Sequence, residues 1–204
     1  MAHKVDYKKT LRQLYNPSIH GIHLVKVPKM NFLMVDGAGN PNTSLEYQQA
    51  IAALYTMSYG IKFAFKKQGY DHVVPPLEGL WWMENMHDFS LVNKDQWKWT
   101  MMIMQPKWVT AEWVKEALLN AMKKKDNPSL SLIRFDNFHE GLCVQTLYKG
   151  AYVDEAPTIA KIHEYIRTNG FMTNGKHHEI YLGDPRKTSP EKLLTILRQP
   201  IRKE

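Results

Sequence analysis

A chain of 204 residues with 44% hydrophobic content and a net charge of +7 is long enough for one globular domain, or two small ones sharing a core, and too apolar for a disordered chain. No apolar run reaches the roughly 18 residues of a membrane span, and the opening MAHKVDYKKT carries no apolar signal segment, so a cytoplasmic protein is expected. The lone cysteine, Cys143, excludes an intrachain disulfide framework and a cysteine-rich zinc site, and its place in the apolar run GLCVQTL predicts a buried, unreactive thiol.

The lysines are scattered. The one tight cluster, Lys123-Lys124-Lys125, ends a predicted helix, where cations complement the dipole. A nucleic-acid partner is therefore not expected. Aromatics say more: six Trp, ten Tyr and seven Phe. Aromatic walls with a few placed polar groups suit a small-molecule pocket; a tryptophan-rich core is the other use of the same residues.

Residues 1–29 read as an irregular polar arm with one helical turn around Lys8 to Tyr15. MNFLMV (30–35) is an apolar strand closed by the turn DGAGNPN. Ser44 caps a helix of about six turns, apolar at Ile51, Leu54, Ile61 and Phe65, stopped by Gly69. Gly60 inside it suggests close packing on the sheet. Residues 73–83, VVPPLEGLWWM, form a strand expected to be bulged by Pro75, Pro76 and Gly79, and Glu78 stands alone in that apolar run. A polar loop from His87 to Gln96 leads to a strand at 97–104. Thr110 to Lys125 is an amphipathic helix with Trp113, Ala117, Leu118 and Met122 inward. After an ambiguous segment come a strand at 141–148, a Pro-led helix at 157–168 closed by Gly170, a strand at 176–182 carrying Glu179, and an edge strand up to Ile201.

The two halves match. Residues 30–105 and 141–202 each run strand, helix, strand with one Glu, strand, with the 110–125 helix between them. An α+β fold follows, with two such modules about a pseudo-twofold axis and antiparallel sheets around a central cleft. Aligning Leu-Glu-Gly-Leu-Trp on His-Glu-Ile-Tyr-Leu puts Glu78 and Glu179 in that cleft from opposite sides.

GAYVDEAPTIAKIHEYIRTNGF followed by HHEIYLGDPRKTSPEKLLTILRQPI resembles the ligand-binding domain of the gyrase-inhibitor-like (GyrI-like) family, with its Gly-x-Tyr turn, Pro-led helix, Glu-containing strand and acidic-Pro turn in this order. MNFLMVDGAGNPN and PPLEGLWW resemble the first half of that family's standalone bacterial members, so the resemblance spans about residues 25–202. It implies a cleft in which glutamate meets lipophilic, often cationic ligands. Some such members hydrolyse cyclopropane-bearing DNA-alkylating compounds; others are drug-sensing domains of transcription regulators.

The expected site follows. Glu78 or Glu179 acts as general base or counter-charge, and Tyr55 or Tyr152 hydrogen-bonds an oxygen gaining charge. Trp81 or Trp82 supplies a stacking wall, with one indole on each face. Tyr181 shares a face with Glu179 and His177 by period two, and His178 completes the candidate ligand contacts. Adjacent histidines point apart and offer no metal site. No cofactor is expected, and the partner is a small lipophilic aromatic molecule bound by a monomer or homodimer, either hydrolysed or only sequestered.

Overall fold

The computed structural model describes residues 4–84 and 94–204; the polar loop expected from His87 lies outside them as far as residue 93. In chain order the elements are α1 (Tyr7–Thr10), α2 (Arg12–Tyr15), β1 (His23–Val27), β2 (Met30–Ala38), α3 (Leu45–Lys66), β3 (Leu77–Trp82), β4 (Lys98–Gln105), α4 (Ala111–Met122), β5 (Arg134–Phe138), β6 (Gly141–Lys149), α5 (Ala156–Thr168), β7 (Phe171–Thr173), β8 (His177–Tyr181) and β9 (Leu194–Lys203). The strands form one antiparallel sheet in the order β1-β6-β9-β8-β3-β4-β2-β5, with β7 alongside β9. That order reads symmetrically outward from the β8–β3 pair: β9 then β6 on one side, β4 then β2 on the other. No helix among the described residues is long and apolar enough to cross a membrane.

Why α3 forms is plain from its ends and its apolar face. Ser44 Oγ accepts the Tyr47 backbone N–H at 3.1 Å, one of the donors a helix start leaves free. Ala50, Leu54, Met57, Ile61 and Phe65 recur at three-four spacing and are buried against Leu33, Val35, Met101 and Ile103 of the sheet. Gly69, at φ +92°, carries the chain past the helix end in a conformation other residues resist.

The pleat sorts everything else. Side chains paired across neighbouring strands point the same way, so Val35, Met101, Gly79, Glu179 and Leu197 share one face. Helix α3 covers the β2–β4–β3 part of that face, and α5 covers the β6–β9 part through Ile162 and Ile166 on Val144 and Leu197. Between the two helices the β3–β8 pair is left as a floor. The opposite face is covered by α1, α2 and the Leu11 between them; Leu11, Leu14 and Tyr15 pack on Val25, Ile180 and Ile196.

Several sequence expectations change. The arm is not irregular: His23–Val27 is a strand paired to β6, and Tyr15 is buried beneath the sheet. β9 is not an edge strand, since β6 and β8 flank it on both sides. β3 carries no bulge; Leu77 to Trp82 pair one-to-one with β4, and the prolines precede the strand. Gly60 does not touch the sheet, because a Cβ there would meet nothing within 4 Å. Met122 is half exposed, and Val114 is the buried residue of α4. The segment after α4 gives a 3-10 turn (Pro128–Leu132) and the edge strand β5, paired to β2.

Candidate functional site

A cavity of about 480 Å³ opens between α3 and the start of α5, above the β3–β8 floor. Helix α3 lends Tyr47, Ile51 and Tyr55; β3 lends Leu77 and Trp81. Tyr152 and Glu155 enter from the turn before α5, and Glu179 and Tyr181 from β8. Asp184 and Arg186 lie at its edge, joined at 2.9 Å.

Tyr181 is the hub of the floor. Its hydroxyl donates to Glu179 Oε2 at 2.7 Å and accepts from Trp81 Nε1–H at 3.1 Å. Burial, then the charge of Glu179, raises the phenol well above its ordinary range, so it stays a donor. Glu179 Oε1 faces His177 Nε2 at 3.5 Å. Tyr152 packs edge-on against Tyr181, with ring centres 5.6 Å apart, and its phenol is pushed up to about 12 by burial, Glu155 and Glu179. Tyr47 is raised as well, by burial first and then by Glu179. Its ring lies 5.9 Å from Trp81 and 5.3 Å from Trp99, giving the cavity an aromatic wall. Tyr55, raised mainly by burial, stands at the end of the wall toward solvent.

Glu155 is the residue the sequence reading passes over. It is 3% exposed, and its Oε1 has no hydrogen-bond partner among the described residues. Burial, and next the nearby Glu179, raise its carboxyl to about 9. At neutral pH it holds its proton, beside a second carboxyl group in the same cavity. A carboxyl that keeps its proton, beside a second carboxyl in one cavity, is a pairing acid–base chemistry can use. The sequence held a weak signal: Glu155 lies three residues after Tyr152, at the N-cap of α5.

Of the sequence-stated candidates, Glu179, Tyr55, Tyr152, Trp81 and Tyr181 meet in this cavity. Glu78, His178 and Trp82 do not. They lie on the other face, because Glu78 pairs with Ile180 while Glu179 pairs with Gly79. The frame that aligned the two glutamates is one residue out of step, and in a strand one residue reverses the face.

Behind the sheet Glu78 is fully buried in a polar network. Tyr15 Oη–H donates to Glu78 Oε1 at 2.8 Å, and His178 Nε2 lies 3.0 Å from Glu78 Oε2. His178 Nδ1 meets Glu140 Oε1 at 2.9 Å. Arg198 donates to Glu140 Oε2 at 3.2 Å, to Gln145 Oε1 at 2.9 Å and to the Leu14 carbonyl at 2.8 Å. Trp82 lies beyond this, with Lys176 Nζ 3.1 Å above its ring. Cys143 is buried on that face as well, and burial pushes its thiol up.

A two-helix cavity over an antiparallel sheet, with acid and phenol groups on an aromatic wall, defines a small-molecule-binding α+β domain. The model of the GyrI-like small molecule binding domain matches residues 20–202, and the chain belongs to that family. An uncharacterised conserved protein from Listeria innocua is 43% identical, superposes with a TM-score of 0.90, and is covered over 100% of its length by 98% of this chain. A structure described as a hydrolase from the same organism is 41% identical, with a TM-score of 0.88 and the same coverage. The EcmrR C-terminal domain shares the fold at 11% identity and a TM-score of 0.57, over 92% of this chain and 100% of that one. No curated protein matches the chain.

Proposed function

We propose that this protein hydrolyses a small lipophilic aromatic electrophile of the cyclopropane-bearing, DNA-alkylating class, adding water to open the strained ring and so detoxifying it. The observation that carries this reading is the pairing of Glu155, buried and protonated at neutral pH, with Glu179 in one aromatic-walled cavity. The 41% identical Listeria structure described as a hydrolase supports the same direction.

The steps balance. The planar body stacks along Trp81 and Tyr47. Glu179 draws a proton from a water molecule, whose oxygen bonds to the ring methylene. The ring C–C bond breaks, and its electron pair runs through the conjugated system to the substrate carbonyl oxygen. Glu155 gives its proton to that oxygen, and the Tyr152 hydroxyl supplies a hydrogen bond while charge builds there.

The test is turnover of a cyclopropane-bearing alkylator by purified protein, with the water adduct followed by mass spectrometry. Glu179→Gln and Glu155→Gln are each expected to lower kcat/KM by about 100- to 10,000-fold, the usual range for removing an acid or base. Wild-type rates in both variants would remove the mechanism. Saturable binding with no product would turn the reading to sequestration.

A further inference from the structure

Glu179, acting as base, ends each cycle with an extra proton, and its surroundings limit where that proton goes. Its Oε2 is occupied by the Tyr181 hydroxyl, a donor that burial keeps protonated. Glu155 already carries a proton when the water is attacked. The remaining oxygen, Oε1, faces His177 Nε2 at 3.5 Å. His177 lies two residues before Glu179 on the same face of β8, with its side chain 4% exposed and its Nε2 lacking any hydrogen-bond partner among the described residues.

An orphaned ring nitrogen beside the one free oxygen of the base is costly to bury and needs a use. The gap is slightly long for a hydrogen bond, as contacts in unliganded sites often are, and closes with a small approach or one water. His163 on α5 is exposed, and its imidazole is held below the ordinary histidine value by burial first and then by the charge of nearby His177. Titratable groups near His177 include Glu179 on its own strand and His163 on α5. Glu179 lies at the cavity floor and His163 at the exposed surface of α5.

We infer that His177 is a positioning and proton-accepting residue: Nε2 takes from Glu179 Oε1 the proton given up by the attacking water, and the imidazole releases a proton outward past His163 to solvent. No electron transfer or co-reactant is involved. Glu179 returns to the carboxylate, and Glu155 regains its own proton separately. The inference rests on the hydrolase reading and adds to it the route by which the base is reset.

The experiment compares wild type, His177→Gln, His177→Ala and His163→Gln with a cyclopropane-bearing alkylator as substrate, after circular dichroism confirms folding. With the relay in place, His177→Gln and His177→Ala lower kcat on the order of 10-fold or more while KM stays near wild type. Added imidazole restores part of the His177→Ala rate, and His163→Gln gives a smaller loss. The pH dependence of kcat also loses a limb in the histidine 177 variants. A second measurement needs no variant at position 177: at fixed pH, the His177 ring signals in NMR spectra move in Glu179→Gln, as loss of the Nε2–Oε1 partner requires. If the proton instead passes from Glu179 straight to emptied Glu155, both histidine 177 variants keep the wild-type kcat and pH profile, which overturns the relay and leaves the hydrolase reading intact. A wild type with no turnover removes that reading and the relay together.

Discussion

Glu155 and Glu78 are both removed from water and meet that cost in opposite ways. Glu78 lies against a phenol donor and an imidazole; Glu155 keeps a proton. The sign of the pH effect follows for Glu155. Its folded value of about 9 lies above the ordinary glutamate value near 4.3, so the folded state binds the extra proton between the two. Its contribution to stability is full below about 4.3 and declines as pH rises through about 9. Glu155→Gln is therefore expected to raise the Tm of the free protein at pH 8, by about 2–4 °C for each kcal/mol recovered, and to change little at pH 4. A scan of Tm against pH checks this; an unchanged slope would remove the protonated Glu155 from the site. His178 follows the same sign for a different reason. Burial alone lowers an imidazole, but here Glu140 and then Glu78 outweigh it and raise the group. Its stabilisation is complete below the ordinary histidine value and is lost as pH rises through the raised one. His178→Ala leaves buried Glu78 without its imidazole partner and Glu140 with Arg198 alone, and is expected to cost about 3–5 kcal/mol in urea unfolding. Neither behaviour was legible from residue type. Glu179 and Glu78 stood out as charges in apolar strands, whereas Glu155 sat in a polar turn that looked ordinary until folding buried it.

Elements were legible where their period was strong. The apolar faces of α3 and α5, the Ser44 cap and the strands β2, β6 and β8 lie close to where the sequence puts them. What escaped depends on partners far away in the chain. The arm looked irregular because α1 and α2 are four residues each, and their worth lies in three long-range bonds: Tyr15 to Glu78, Gln145 to the Gln13 carbonyl, and Arg198 to the Leu14 carbonyl. β9 looked like an edge because of Pro200, which lacks an N–H. The β8 register ends at Arg198, and the Pro200 carbonyl points toward Asn174, so its missing donor faces the side that β8 has already left. The arm's role is testable in two strengths. Tyr15→Phe removes the donor to Glu78 Oε1 and should cost about 1–3 kcal/mol, the range for a buried acceptor left unmet. Deleting residues 4–16 strips the Arg198 and Gln145 acceptors and bares the Ile180–Ile196 surface, so the truncated chain should fail to give a cooperative unfolding transition. A deletion variant as stable as the full chain would show the arm to be an accessory.

At the scale of the whole molecule the sheet is a partition. One face carries two helices with a cavity between them, and the other carries a sealed polar network under a short arm. The two-module plan read from the sequence agrees with a strand order that is symmetric about β8–β3, but the matching of Glu78 to Glu179 does not survive it. Alternation along a strand was visible in the sequence; its phase was not, because phase depends on which residues face each other across β3 and β8. That pairing puts Gly79 opposite Glu179. A side chain at position 79 would strike the Trp81 indole, 2.9 Å away, so the missing Cβ gives Trp81 its room on the cavity side. The consequence is a double dissociation. Glu179→Gln should abolish most hydrolysis while the chain unfolds at nearly the wild-type denaturant midpoint, since its carboxyl lies at a cavity surface and an amide still accepts from Tyr181. Glu78→Gln should do the reverse. It weakens the pairing with His178 and lowers the midpoint by an amount equivalent to about 1–3 kcal/mol, yet leaves kcat close to wild type wherever the protein is folded, because the sheet backbone stands between it and the substrate. Measuring both quantities on both variants decides the matter. Should Glu78→Gln lose turnover at full stability, the cavity between α3 and α5 is not where the chemistry happens.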